Sequence, residues 1–286
     1  MQITSWGLFE ISRTNVKFNR VYGIDEDSTL LTKILPFGSP LGQSIKYVQI
    51  DDKAYLTYLK MNGQNGKGVT FSFNLDNIPD NFLEFTPVMA SLLDDPPSSD
   101  ILELEPQKIQ TEPIRIRDFD IAVFSLLSRF RTIILGDEDE IMKIISAICV
   151  STPNEMKKRL LFVSQSTSLS ENVKIIGMPF SLEVLSELDE YKGHYTIIIL
   201  GDRVYGQFTS KLCKKIADHA RKGEYDNIKE LLDDFYRLAR DSNELPPALE
   251  FANKSKLHLS DAQLALIIRA GFFGKKIPDG LLEARN

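Results

Sequence analysis

Three apolar strands in this sequence run into glycine, and these turns are where ligand chemistry would first be sought. Two of the strands continue into Gly-Asp, at 136–137 and at 201–202, and the third ends at Gly177. Open α/β sheets bind ligands beyond the carboxyl ends of their strands, and a glycine turn into a helix can hold a phosphate. The turns at Gly136, Gly177 and Gly201 are therefore the candidate ligand positions.

The residues after Gly136 argue against a phosphate at the first of these turns. The helix predicted there begins Asp137-Glu138-Asp139-Glu140 and offers no Lys, Ser or Thr. Each carboxylate close to the anion would repel it by ~1 kcal/mol, even in a water-like dielectric. We interpret Asp137 as the helix cap, with Glu140 completing a variant of the capping box, and the acids as partners of the helix dipole.

No other motif provides a catalytic constellation. The segment 201–206 lacks Gly-x-Gly-x-x-Gly spacing and a Walker lysine, which favours a strand-to-strand or strand-to-helix turn. The histidines, His194, His219 and His258, are scattered singly, and neither Cys149 nor Cys213 has a partner at metal-ligand spacing. Cys149 falls in an apolar helical stripe, which predicts a buried, unreactive thiol. The sequence thus predicts no catalytic residue, metal or cofactor.

Composition limits the classes of protein further. The 286 residues, 43% of them hydrophobic, are enough for two domains, and 40 acids against 34 bases give a formal charge of -6. That balance predicts no nucleic-acid partner, and no apolar run reaches the ~18 residues of an integral membrane segment. Two unpaired cysteines are typical of a cytoplasmic protein. Three basic groups are predicted to be solvated: Lys157-Lys158-Arg159, Lys214-Lys215 and Lys275-Lys276.

The elements that would position these residues fall into two groups. Residues 1–93 predict the order β-β-α-β-β-β-α, with strands at 3–11, 16–22, 45–50, 54–59 and 69–75, helices at 28–35 and 82–93, and a flexible loop at 63–68. Pro87 should delay the start of the second helix. Proline-rich residues 94–113 are predicted to be an extended, poorly packed linker.

Residues 114–286 predict a second domain in which strands and helices alternate. The strands are expected at 132–135, 160–163, 173–176 and 195–200, and the helices at 119–129, 137–148, 182–188, 210–221, 225–240 and from Ser260. Alternation of this kind favours a mainly parallel sheet covered by helices. The fold class predicted for the whole chain is α/β, with an α+β N-terminal domain and a helical C-terminal tail.

The two halves together resemble the longin–DENN proteins of the folliculin group. The N-terminal element order is similar to that of a longin domain. The second half resembles a DENN domain through Ile-Leu-Gly-Asp at 134–137 feeding a helix, the Ile-Ile-Gly-Met-Pro segment ending at Pro179, and the strand and helices that follow. The resemblance implies partnership with a small GTPase, or with a related longin, DENN or roadblock-type subunit, in a homo- or heterodimer.

The resemblance also bears on GTP hydrolysis. In the folliculin group, an arginine after the last longin strand assists hydrolysis by neutralising charge on the transferring phosphoryl group. The comparable stretch here is 76–82, where Asp80 takes the place of that arginine. A carboxylate would repel the phosphate, and Arg13 and Arg20 are the nearest basic alternatives. Activation of hydrolysis is therefore the least supported role.

We expect a non-enzymatic binding or regulatory partner of a small Ras-like GTPase, acting in exchange, activation or as a scaffold. Two alternatives stay open. One is a nucleotide- or small-ligand-binding α/β enzyme that uses the crevice near Gly136, Gly177 and Gly201. The other is a structural subunit of a hetero- or homo-oligomer.

Overall fold

The computed structural model describes residues 1–12, 15–25, 28–35, 42–79, 81–107, 112–114, 131–157, 160–169, 173–188, 195–201, 204–205 and 211–241. The helices predicted at 119–129 and from Ser260 lie outside these residues. Within them the chain has the predicted α/β fold, with one ten-stranded mixed sheet and one two-stranded sheet.

The N-terminal half has the predicted element order, preceded by one short extra strand. Its elements are β1 (Gln2–Ile3), β2 (Trp6–Ser12), β3 (Asn15–Tyr22), α1 (Ser28–Ile34), β4 (Gln43–Ile50), β5 (Lys53–Asn62), β6 (Asn65–Asn74) and, after two 3₁₀ turns (Leu75–Asn77 and Phe82–Phe85), α2 (Thr86–Asp94). Strands β4-β5-β6-β2-β3 are neighbours in that order, and each pair is antiparallel. Pro87 lies in the first turn of α2, which confirms the delayed helix start.

The C-terminal half alternates strands and helices, as predicted. Its elements are β7 (Leu102–Glu103), β8 (Arg131–Leu135), α3 (Glu138–Ser151), α4 (Asn154–Lys157), β9 (Phe162–Val163), β10 (Ile175–Met178), α5 (Leu182–Leu188), β11 (Tyr195–Ile199), β12 (Val204–Tyr205), α6 (Lys211–Lys222) and α7 (Tyr225–Asp241). Strands β11-β8-β10-β9 are parallel neighbours, and β12 pairs antiparallel with β11. The turn after Gly201 therefore joins two strands, one of the two predicted outcomes.

The two halves meet within one sheet, because β9 pairs antiparallel with β4. Around this pairing the buried Ser164 hydroxyl accepts the Ile45 amide at 2.8 Å, and Ser44 Oγ donates to the Gln165 carbonyl at 2.7 Å. Phe162 of β9 stacks on Tyr47 of β4 with ring centroids 6.0 Å apart. We call this junction the β4–β9 seam.

Helices cover both faces of the sheet, and each face has its own apolar core. One core includes side chains of α2, α3, α6 and α7, and the other includes side chains of α1 and α5. Both cores contain residues of both halves. The ends of helices follow local chemistry: α6 ends at Gly223, whose φ of 74° is the left-handed conformation that glycine adopts at helix ends.

The prediction of a flexible loop at 63–68 is wrong. Strand β5 extends to Asn62, and β6 already begins at Asn65, so the turn is tight and Gly63 has a φ of 62°. Gly66 and Gly68 belong to β6, where the Met61 side chain and the Phe9 ring fill the space a side chain would take. Glycine here allows close packing within a strand.

Most described residues of the segment 94–113 are exposed, as the prediction of poor packing requires, but residues 100–104 are anchored to the N-terminal half. Leu102 and Leu104 are buried, β7 pairs with β1, and the Trp6 indole donates to the Asp100 carbonyl at 3.0 Å. The placement of a domain boundary in this segment stays a prediction. None of the helices in the described residues is long and apolar enough to cross a membrane.

Candidate functional site

Gly136 lies at the predicted crevice, but a leucine side chain occupies its surroundings. Its amide donates to the Met178 carbonyl at 3.2 Å, and the Leu200 amide donates to the Leu135 carbonyl at 2.9 Å. A Cβ at Gly136 would lie 2.5 Å from Leu200 Cδ1. The missing side chain therefore makes room for Leu200 and does not create a phosphate cradle.

Gly177 serves packing in the same way. The predicted strand end at Gly177 is wrong, because this residue lies within β10, opposite Ile134 of β8. A Cβ there would clash with the Ser164 carbonyl oxygen and lie 2.7 Å from Ile141 Cγ2. Its own carbonyl accepts the Ser166 amide at 2.9 Å. The backbone after β9 and the side chains of α3 thus fill this position completely.

The acids after Gly136 stand at the start of α3, as predicted, but the capping box does not form. Asp137 occupies the N-cap position in an extended conformation, yet its side chain makes no capping hydrogen bond. The pKa of Glu138 is raised, first by partial burial and then by the charge of Asp139. A site that disfavours an existing negative charge would disfavour a bound phosphate as well.

The third glycine turn offers no enclosure. Gly201 has a φ of 80°, and its Cβ position faces open space; Asp202 lies outside the described residues. Neither the two cavities at the N-terminal hairpins nor the one between α4 and α7 is lined by Gly136, Gly177 or Gly201.

Neither His219 nor Cys149, whose side chains the structure describes, belongs to a reactive centre. His219 Nδ1 lies 2.7 Å from Glu224 Oε2 and closes the end of α6, while His194 and His258 lie outside the described residues. Cys149 is fully buried, and burial raises the pKa of its thiol far above the ordinary range. Among the described residues, no three His, Cys, Asp or Glu side chains cluster in a way that could hold a metal ion.

One predicted solvated lysine is instead buried. Lys157 is 0% exposed, and its Nζ lies 3.5 Å from the Pro79 carbonyl. The pattern Lys157-Lys158-Arg159 is basic enough to suggest a surface, but α4 packs this first lysine into the protein. Its neighbours Lys158 and Arg159 lie outside the described residues.

Of the two arginines considered as alternatives, the structure describes Arg20. Arg20 of β3 donates from Nη1 to the Pro97 carbonyl, which fixes it against the segment after α2. Arg13 and Asp80 lie outside the described residues. Arg20 therefore acts as a local structural contact in this conformation.

Sequence reasoning missed a groove at the hairpin ends of the N-terminal half. In neighbouring strands Lys17 is opposite Glu10, Glu10 is opposite Lys67, and Lys67 is opposite Lys60. Directly opposite residues project to the same face, so these four side chains form a row across β3, β2, β6 and β5, which we call the lysine row. Finding this row requires the registers of two hairpins and of the β2–β6 pairing, and the wrong loop at 63–68 had removed Lys67 from its strand.

The lysine row lines a cavity of about 590 Å³, which also contacts Leu93 and Asp94 at the end of α2. An adjoining cavity of about 230 Å³ shares Glu10, Lys67 and Leu93 with it and extends to Arg20. We call the two together the hairpin groove. It is a concave, charged surface on rigid strands, which suits binding of a partner rather than covalent chemistry.

No protein-family model matches this sequence, and no curated protein matches it.

Proposed function

We propose that this chain is a non-enzymatic binding or regulatory partner of a small Ras-like GTPase, with a longin-like half followed by a DENN-like half. One observation carries the proposal. The β-β-α-β-β-β-α half and the alternating α/β half share a single ten-stranded sheet through the β4–β9 seam. Two element orders that each resemble part of a longin–DENN protein thus occur together in one body.

The character of the described site supports binding over catalysis. The glycines of the crevice accommodate Leu200 and the Ser164 carbonyl, and Cys149 is enclosed in the core. A binding partner of a GTPase needs a shaped surface and no nucleophile, metal or cofactor of its own. These observations favour a regulatory or scaffold subunit. The proposal adds a cytoplasmic location and assembly as a homo- or heterodimer, as the family resemblance implies.

Among the GTPase-directed roles, exchange or assembly is better supported than activation of hydrolysis. An arginine finger must reach the phosphoryl group with a free guanidinium. Arg20 instead donates to the Pro97 carbonyl. The proposal therefore places no arginine in a catalytic role.

Affinity capture tests the proposal directly. The full chain would be used to capture proteins from its native cells, in parallel lysates containing GDP or a non-hydrolysable GTP analogue. We expect mass spectrometry to identify a Ras-like GTPase or a GTPase-associated subunit whose recovery depends on the nucleotide. Purified partner and chain would then be mixed, and release of a fluorescent GDP analogue measured. Recovery of no such protein in either nucleotide state would contradict the proposal.

A thermal-shift screen separates this function from the enzyme alternative. A nucleotide present at a hundred times its dissociation constant stabilises its protein by about 2.7 kcal/mol. We expect no stabilisation of the isolated chain by ATP, GTP, NAD or their products. A nucleotide that does stabilise it would favour the ligand-binding enzyme.

A further inference from the structure

The lysine row has an unusual balance of charge. Lys60 and Lys67 stand directly opposite each other on exposed positions of β5 and β6, and like charges in such pairs destabilise a sheet. Glu10 is the only carboxylate within the row. A bound negative group between the two lysines would remove this repulsion.

The described lining of the hairpin groove has a net positive charge. Its described cations are the three lysines of the row and Arg20, and its described carboxylates are Glu10 and Asp94. The complete chain has a formal charge of -6. A cationic groove on an acidic protein attracts negatively charged partners locally while the rest of the surface repels them.

The shape of the groove favours an extended peptide. It opens beside β3, which is the edge strand of the ten-stranded sheet in the described residues. An edge strand offers backbone groups to an extended segment, and the Leu93 side chain gives the groove an apolar contact.

Nucleic acid fits this groove less well. Single-stranded nucleic acid is held largely by stacking of bases on aromatic rings, and the aromatic side chain in the described lining, Phe9, is buried and cannot stack on a base. We propose that the hairpin groove binds an acidic, extended segment of a partner protein. That partner need not be a GTPase, so the groove and the proposed function can fail independently.

Fluorescence anisotropy with fluorescein-labelled hexaglutamate tests the proposal on the full chain. We expect saturable binding at low ionic strength that weakens as salt is added, and no comparable binding of labelled hexalysine. The double variant Lys60→Gln with Lys67→Gln should lose about five- to tenfold in affinity, the sum expected for two exposed ion pairs. The matched control, Lys33→Gln with Lys143→Gln, removes the same charge from exposed helix positions and should stay within about twofold. Equal losses in the two double variants would overturn the proposal.

A second variant guards against a loss caused by misfolding. Glu10→Gln removes the carboxylate inside the row and should raise hexaglutamate affinity by about threefold, an effect that damage to the fold would not produce. Unchanged or weaker binding by this variant would contradict the proposal. Labelled oligouridylate should bind more weakly than hexaglutamate. Tighter binding of the oligonucleotide through the same lysines would replace the peptide with nucleic acid as the occupant.

Discussion

The antiparallel and parallel halves of the ten-stranded sheet end in different ways. The antiparallel strands end in hairpins that leave the hairpin groove open and lined with exposed lysines. In the parallel half the spaces beside the glycines are filled, by Leu200 at Gly136 after β8 and by the Ser164 backbone at Gly177 within β10. Glycine at a strand end therefore marks a ligand site only when nothing in the protein occupies the space it leaves.

The two halves also use glycine against different neighbours. Gly68 in the antiparallel half lies under the Phe9 ring, whereas Gly177 in the parallel half lies under a backbone carbonyl. The Phe9 ring can be displaced by rotation about its Cα–Cβ bond when a side chain is added, but a backbone segment tied to two strands cannot move without disturbing both. A larger residue should therefore destabilise the protein more at Gly177 than at Gly68.

The largest effect is expected at the seam that joins the halves. Phe162→Ala removes a fully buried ring stacked on Tyr47 and should lower the free energy of unfolding by about 3–5 kcal/mol. Phe180→Ala is the matched control: that ring is 56% exposed and its loss should cost less than about 0.5 kcal/mol. Urea unfolding followed by circular dichroism measures both. Because the cores are shared, we expect one transition, and two separate transitions would mean that the halves unfold independently.

The next effect compares glycines within the strands. Gly177→Ala forces a methyl group against the Ser164 carbonyl and should cost about 3 kcal/mol. Gly68→Ala meets the Phe9 ring, which can give way, and should cost about 1 kcal/mol. The same urea experiment measures both variants. A Gly68 variant as unstable as the Gly177 variant would refute the distinction between ring and backbone neighbours.

Substitution of a turn glycine should cost about the same stability in both halves. Gly63 in a hairpin and Gly201 after β11 both have positive φ, and a Cβ at either would meet open space. Replacing either with alanine should cost about 1 kcal/mol, since only the backbone conformation is penalised. Thermal unfolding of the two variants should give similar losses. A much larger loss at Gly201 would show that its turn carries contacts that Gly63 lacks.

The smallest effects are pH-dependent and concern two carboxylates of the C-terminal half. The folded-state pKa of Glu138 is raised by burial, so its contribution to stability is greatest at low pH and is lost as pH rises past the ordinary glutamate value. The pKa of Glu224 is lowered by its hydrogen bond to His219, so its contribution is present at neutral pH and is lost as pH falls. Relative to wild type, Glu138→Gln should therefore gain stability as pH rises from about 3 to 7, and Glu224→Gln should lose it. Urea midpoints across this range check the two signs, and parallel pH profiles would contradict them.

Most elements could be predicted from the sequence because their patterns are local. The helix at 138–151 has an apolar stripe at helical spacing, and α6 and α7 are separated by Gly223. The incorrect predictions share one cause, which is contact with residues distant in the sequence. Gly68 lies within a strand, and the Phe9 ring packs where its side chain would be. Lys157 is buried by packing that the basic sequence around it does not reveal.

The site was harder to predict than the fold. The sequence correctly placed Gly136 and Gly201 after strands, but Gly177 lies within β10 and not at its end. It could not show that Leu200 and the Ser164 carbonyl fill the spaces beside Gly136 and Gly177. The lysine row depends on three strand registers. The pairs Lys17–Glu10 and Lys60–Lys67 lie within hairpins, but the pair Glu10–Lys67 joins strands that are far apart in the sequence. Local patterns do not specify that long-range register.

The β4–β9 seam also has a consequence for the order in which the protein folds. Ile45 and Ser164 are 119 positions apart, while the hairpins of β2–β3 and β5–β6 join near neighbours. Closing so long a loop costs entropy before its contacts can form, so the hairpins should assemble first and the seam last. In pulsed hydrogen exchange during refolding, the amides of Ile45 and Ser164 should gain protection after those of β5 and β6. The junction that makes one sheet of two halves would then be the final step in folding.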